Sequence, residues 1–391
     1  MKIYSILGII LLCALAFIIG YKLPSSQNPA SETTPVTPTF HLKMVTPWLP
    51  ASETTPVTPA KTFHWKMVTT WPPNFPIFQD NVEKMAEEIE TMSAGRIKVK
   101  VYAGGELIPP LETFHAVSQG IVQMGHGAAY YWAGDVPAAQ FMSTVPFGMK
   151  AKGMNAWLYS GGGLELWREL YKPFNVMPFP AGNSGVQMGG WFNKKIESIN
   201  DFKGLKMRIP GLGGKVLAKA GGTAELLPGS EVYSALERGR LDATEWAGPF
   251  HDKRLGLYRV AKYYYYPGWH EPGTTLEFIV NSQAFAELPA DLQKIVEVAS
   301  YAINQRIYSE FEAFNIKALR ELKQEHHVNV LPFPPEVLKE LKRLTVETLD
   351  EEANKNAEFK RIYEAYKQFQ ADDAAWNAVS EDAYKSMLTD Q

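Results

Sequence analysis

Apolar positions along this chain fall into three regimes. From Ile6 to Ile19 they are nearly unbroken, behind a lysine at position 2, within "MKIYSILGIILLCALAFIIGYK". That is the grammar of an export signal. The run is shorter than the roughly 20 residues a spanning helix needs, and no small residue precedes Cys13 as a lipidated cysteine would require, so a cleaved signal and an uncleaved anchor over residues 1–20 both remain open. Residues 21–61 are rich in Pro, Ser and Thr and hold one segment written twice, "ASETTPVTPTFHLKMVTPW" and "ASETTPVTPAKTFHWKMVTTW". The first copy reads as an extended tether, the second as the lead into a folded body starting near Thr62.

Beyond Thr62 the periods alternate between two and 3.6. Phe63, Trp65 and Met67 against His64 and Lys66 predict a strand. Ile77, Val82, Met85, Ile89 and Met92 predict a helix over Pro76–Ser93 that Gly95 closes. "RIKVKVY" predicts a second strand, "PPLETFHAVSQG" a short helix and "IVQMGHG" a third strand, together a parallel doubly wound layer. Helix broken by Gly161–Gly163 is expected over Ala151–Tyr171, then a strand at "NVMPFPAG". A second α/β set follows, with strands at "VQMGGWF", "LKMRIPG" and "LDATEW" and helices at "KVLAKAG" and "SEVYSALERG". "TTLEFIVN" reads as a long strand returning to the first lobe, and "GDVPAAQF" as a loop. The C-terminal third is predicted helical, with Ala290 to Gln324 far longer than the mean helix of about 12 residues. The expected fold is α/β and two-lobed, with crossing strands and a long C-terminal helix. Lobe I covers about 62–182 and lobe II about 183–280, each with part of the C-terminal region up to 391.

Composition narrows the function. A net charge of -3 and scattered aromatics offer no basic stripe, which argues against nucleic acid. Cys13 is the single cysteine, so the body holds no disulfide or thiolate site. The eight histidines form no HExxH, and His326-His327 at a helix end is expected to be solvated; zinc is not supported. "GLGGKV" lacks a phosphate-loop spacing and "GNSGV" is no nucleophile elbow.

Ligands of open α/β sheets bind outside the carboxyl ends of strands, which here are Gly125–Trp132, Gly182–Gln187, Arg208–Gly211, Glu245–Pro249 and Trp269–Glu271. Arg208 is either a carboxylate clamp or a partner in a surface ion pair; Pro210 and Gly211 just after it favour a guanidinium facing a cleft. Glu245, Glu271, the Gln187 amide and backbone carbonyls make an all-oxygen set suited to Ca²⁺ or Na⁺. Tyr130, Tyr131 and Trp132 can wall a small pocket or simply pack. His126 reads as a satisfied core histidine, and Asn183 either donates to a ligand oxygen or shapes a turn.

"SAGRIKVKVYAGGELIPPLETFHAVSQGIVQMGHGAAYYW", "WFNKKIESINDFKGLKMRIPGLGGKVLAKAGG" and "LDATEWAGPF" resemble the periplasmic solute-binding proteins of TRAP transporters, and within them the subgroup that takes 2-oxo or 2-hydroxy monocarboxylates such as pyruvate and lactate. The likeness runs from about residue 62 to the C-terminus. It implies a non-enzymatic capture protein of the periplasm, delivering a small organic acid to TRAP membrane permease subunits. It also implies that Arg208 holds the carboxylate, that Gln187, Glu245 and the Trp246 carbonyl hold a bridging Na⁺ or Ca²⁺ with Glu271 as a further ligand, and that Tyr131 or Tyr130, and Asn183, contact the substrate. Some members dimerise by packing or exchanging a long C-terminal helix, which fits Ala290–Gln324. Two competing readings are a metal-assisted lyase or aldolase acting on 2-oxo acids and a membrane-tethered sensor.

Overall fold

The structure is a computed structural model that describes residues 61–389. The expected signal or anchor, Cys13 and the tether with its first repeat copy lie outside the described residues. Alternation governs the opening strand as the sequence requires: in β1 (Phe63–Thr69), Phe63, Trp65 and Met67 are buried while His64 and Lys66 face solvent. β2 (Ile97–Tyr102) and β3 (Met124–Gly127) flank it, both parallel to it. Between β1 and β2 the helix Gln79–Met92 buries Val82, Met85 and Ile89, one stripe at helical spacing.

The sheet is completed by two longer strands, β4 (Val176–Asn183) and, much later in the chain, β10 (Thr275–Asn281), in the order β2-β1-β3-β10-β4. β10 runs antiparallel to both neighbours, so the layer is mixed at this edge. Every residue of β10 is buried, including an acid, Glu277.

A second sheet has the order β11-β9-β5-β8-β6-β7. Its strands are β5 (Gly190–Phe192), β6 (Lys206–Arg208), β7 (Thr223–Glu225), β8 (Ala243–Thr244), β9 (Tyr263–Tyr266) and β11 (Asn329–Pro332). β6 is parallel to β7 and β8, whereas β5 is antiparallel to β8 and β9. The chain passes between sheets twice near the site, from β4 to β5 and back from β9 to β10.

The helix Ala290–Gln324 has the bounds its periodicity predicts. Leu292, Val296, Ala299, Ile303, Ile307 and Phe311 form its buried stripe, packed on β4, on Gln79–Met92 and on the short helix Pro249–Arg254. One core cluster joins residues from both sheets, such as Met67 and Phe278 with Trp191 and Tyr264. β7, β9 and β11 were not expected: each is three or four residues long, and none has alternating apolar and polar flanks to announce it. "GDVPAAQF" is a 3₁₀ turn, Pro137–Ala139, running into a buried helical turn, Gln140–Ser143, rather than a loop. His326 is half-buried with its ring 4.2 Å from that of Tyr258, whereas His327 is exposed. Among the described residues no helix is long and apolar enough to cross a membrane.

Candidate functional site

Two parallel strands deliver the central pair. Arg208 ends β6, whose neighbour β8 is held in register by Arg208 opposite Thr244, and the Glu245 N–H donates to the Arg208 carbonyl at 3.2 Å. Both side chains therefore leave adjacent carboxyl ends of one sheet. Gln187 lies on the β4–β5 crossing and Glu271 on the β9–β10 crossing. The two crossings are stitched together where the Gly268 N–H donates to Gln187 (2.8 Å) and the Gln187 N–H to the Glu271 carbonyl (3.2 Å). The other sheet contributes the 3₁₀ turn Ala129–Trp132 after β3, which carries Tyr130 and Tyr131.

Arg208 and Glu245 are fully buried and ion-paired through Nη1. The guanidinium also donates from Nε to the Leu227 carbonyl (3.2 Å) and from Nη2 to the Tyr131 hydroxyl (3.5 Å), and lies 4.9 Å from the Trp246 ring. The pair is thus a buried one, not a surface ion pair. The second oxygen of Glu245, Oε2, has no hydrogen-bond partner and sits 3.4 Å from His270 Nε2. Gln187 donates its amide to Glu271 (2.7 Å), Ser184 Oγ (3.0 Å) and Thr274 Oγ1 (3.3 Å), which leaves its own carbonyl oxygen without a donor. Glu245, His270 and Glu271 bring ligand atoms within 4.8 Å of one another.

Burial pushes the carboxyl of Glu245 up to about 7 against the opposing pull of Arg208. Burial, and then the charge of Glu245, push Glu271 up to about 7. Burial holds the His270 imidazole down at about 4, so it is neutral at physiological pH. Two acids that resist ionisation, together with buried oxygens that lack donors, fit a cation between them. The oxygens of Glu245, Gln187 and Glu271 would hold a hard ion, and such an ion would supply positive charge to a ligand oxygen.

A small enclosed void adjoins these groups. Tyr130, Tyr131, Gln187 and Trp246 line it, with Trp71, Phe78 and Leu276 as its apolar wall and Ser184 and Thr274 as further polar groups. Asn183 is buried beside it with its amide engaged: Nδ2 donates to the Gly273 carbonyl and Thr275 Oγ1, and Oδ1 accepts from the Gly185 N–H at 2.9 Å. Those bonds turn the chain out of β4. His126 is a satisfied core histidine, accepting from Trp71 Nε1 at Nδ1 (2.7 Å) with Nε2 2.9 Å from the Ala181 carbonyl. His270, Ser184 and Thr274 were missed from the sequence; their signal is adjacency, His270 and Thr274 within "WHEPGT" around Glu271 and Ser184 within "NSGVQ" before Gln187.

Residues 67–356 match the family described as bacterial extracellular solute-binding protein, family 7 (DctP). The chain belongs to this family. Its members are binding receptors for transporters, and this member is a TRAP solute-binding protein rather than an enzyme. It is 43% identical over 307 residues, 78% of this chain and 84% of the relative, to a monocarboxylate 2-oxoacid-binding periplasmic protein of Nostoc sp.. Among solved structures it is similar to a TRAP periplasmic solute-binding protein of Pseudoalteromonas atlantica with bound sodium and pyruvate. That likeness has a TM-score of 0.81 and 43% identity, over 83% of this chain and 99% of the other. A TRAP solute-binding protein of Bordetella bronchiseptica, a dimer with calcium and picolinate at one site, matches with a TM-score of 0.82 and 37% identity, over 84% and 98%. The two-sheet α/β architecture with its long C-terminal helix is the fold of these proteins.

Proposed function

We propose that this family member captures a small 2-oxo or 2-hydroxy monocarboxylate, of pyruvate or lactate type, together with Na⁺ or Ca²⁺, and presents it to TRAP membrane permease subunits. The observation that carries the reading is the split use of Glu245: one oxygen on the Arg208 guanidinium, the other buried without a donor, as is the side-chain carbonyl oxygen of Gln187. In this reading Arg208 holds the ligand carboxylate. Gln187, Glu245 and the Trp246 carbonyl, with Glu271, hold the ion against the ligand's 2-oxygen. Tyr130 and Tyr131 close over the ligand, and Asn183 keeps the turn that aims Gln187. A single guanidinium, together with apolar groups such as Trp71, Phe78 and Leu276, suits a monocarboxylate better than a dicarboxylate or a sugar acid. The related proteins that carry pyruvate or a 2-oxoacid name support the same ligand class.

A thermal-shift panel of 2-oxo acids, 2-hydroxy acids, dicarboxylates and sugars, each with and without added ion and chelator, tests the reading. Pyruvate or lactate should raise the melting temperature, and removal of the ion should abolish the rise. Stabilisation by a dicarboxylate or sugar alone would overturn it.

The family and the signal-like grammar of the N-terminal run support the periplasm as the site of action, with that run as a signal or anchor. Lobes of about 62–182 and 183–280, each completed from the C-terminal region, would close on the ligand by a hinge at the two crossings. We also propose a homodimer through the long helix Ala290–Gln324, where Phe314 and Ile316 are exposed, extended by the helices Ala357–Val379 and Glu381–Thr389, where Trp376, Val379, Tyr384, Met387 and Leu388 are exposed. Light scattering on the exported protein should give twice the chain mass, and Val379→Glu with Leu388→Glu should return it to one; a monomeric wild type defeats the dimer.

A further inference from the structure

Glu277 is an acid in the middle of a strand buried on all sides, outside the ligand void. Among the described residues no ion pair includes it. Two donors meet its carboxyl: Trp132 Nε1 at Oε1 and the Tyr171 hydroxyl at Oε2, 2.9 Å away. Burial pushes its carboxyl up to about 8, partly offset by those two donors. An apolar residue would pack such a strand more cheaply, because a buried acid loses its hydration without a cation in exchange.

The two donors show what the acid holds. Trp132 closes the 3₁₀ turn Ala129–Trp132, which has no side-chain cap of its own. Its ring fills the space over Gly127, where even a β-carbon would stand only 3.0 Å from it, and stacks on Phe114 at 5.7 Å. Tyr131 lies edge-on to Trp132 at 5.9 Å and to Tyr130 at 4.9 Å, and its hydroxyl accepts from Arg208 Nη2. An unbroken path of contacts therefore runs from Glu277 through the Trp132 indole to Tyr131 and Arg208.

We infer that Glu277 is a positioning residue for ligand binding: by accepting from the Trp132 indole it fixes the turn that presents Tyr130 and Tyr131, and so sets the grip on a ligand it never touches. The ligand-facing role of the two tyrosines rests on the function proposed above; the anchoring of the turn does not.

Glu277→Leu, which removes the acceptor altogether, Trp132→Phe and the double variant, in the otherwise intact protein, test it with two readouts. Hydrogen exchange of the ligand-free protein should show faster exchange confined to residues 128–136 in either single variant. Calorimetry with Ca²⁺ present should show pyruvate bound about tenfold more weakly by each, the loss expected for one hydrogen bond to a carboxyl acceptor. The double variant should be no weaker than Trp132→Phe alone, and Ca²⁺ uptake without pyruvate should stay at the wild-type level. Unchanged exchange over 128–136, or losses that add in full in the double variant, would overturn the inference. Should Glu277→Leu fail to fold, Trp132→Phe decides alone: with the acid still bonded to Tyr171, unaltered exchange at the turn defeats the proposal. A wild type that binds no pyruvate, while its variants still loosen 128–136, defeats the proposed ligand and leaves the anchoring in place.

Discussion

Arg208→Ala should lose pyruvate affinity by roughly a thousandfold, because it removes a desolvated charge on which the ligand carboxylate depends. The guanidinium is tied at three points: Nε to the Leu227 carbonyl, Nη1 to Glu245 and Nη2 to the Tyr131 hydroxyl. Tyr130 and Glu271 also lie within its field. The alanine variant also strands Glu245, and breaking a buried pair in this way costs about 3–5 kcal/mol of stability. Arg208→Lys separates the two effects. An ammonium keeps the charge beside Glu245 but cannot serve three directions at once, so this variant should melt near the wild-type temperature and still bind roughly a hundredfold more weakly by calorimetry. Affinity within fivefold of wild type in both variants would remove Arg208 from the ligand site.

Glu245→Gln should abolish ion-dependent stabilisation and also lower the ion-free melting temperature, because the buried Arg208 charge loses its counter-charge. The amide keeps the shape of the side chain and an oxygen for Arg208 but loses the anionic oxygen that is donorless in the structure. The pH profile gives a second, sharper signature. Glu245 and Glu271 titrate near 7 in the folded protein, against about 4.3 for an exposed glutamate. Between those values the folded chain holds protons on these acids that the unfolded chain has released, so their contribution to the stability of the ion-free protein falls as pH rises from about 4.5 to 7, while His126, His251 and His270, held down by burial, act in the opposite sense. Ion binding requires the deprotonated acids, so the stabilisation added by Ca²⁺ grows across the same window. Because other buried groups titrate over the same range, the signature is read as a difference: in chelator the melting temperature of the wild type relative to Glu245→Gln should fall from pH 5 to 8, and the gain from Ca²⁺ should grow with pH in the wild type and be absent in the variant. A wild-type-minus-variant difference that is flat with pH would show that Glu245 is not the group in control.

Long periodic elements were legible in the sequence. β1, the helix Gln79–Met92 and the 35-residue helix Ala290–Gln324 follow from apolar spacing alone, because each repeats its period often enough to be read. β5, β6 and β8 were also legible as strands, though each is only two or three residues long, whereas β7 was not; how the four pair is decided by tertiary neighbours, which no local pattern encodes. The same division holds at the site. Arg208, Glu245 and Glu271 stand out as charged residues at strand ends, yet that Gln187 and Glu271 sit on opposite crossings and share backbone hydrogen bonds is a fact of topology. Ser184 and Thr274 escaped notice because a hydroxyl in a turn looks the same whether or not it supports a ligand. Glu277 was hidden differently: a lone acid inside "TTLEFIVN" gives no hint that it meets an indole more than 140 positions away.

The two strand connections between the sheets each contribute a polar group to one small region, Gln187 from the outgoing passage and Glu271 from the returning one. In the proposed function a cation seated there would staple the passages together, and the ligand would supply it with further oxygen. By thermodynamic reciprocity the ion must tighten the acid by the same factor as the acid tightens the ion. Loading of this receptor would then track the salt of its surroundings as closely as the supply of its cargo.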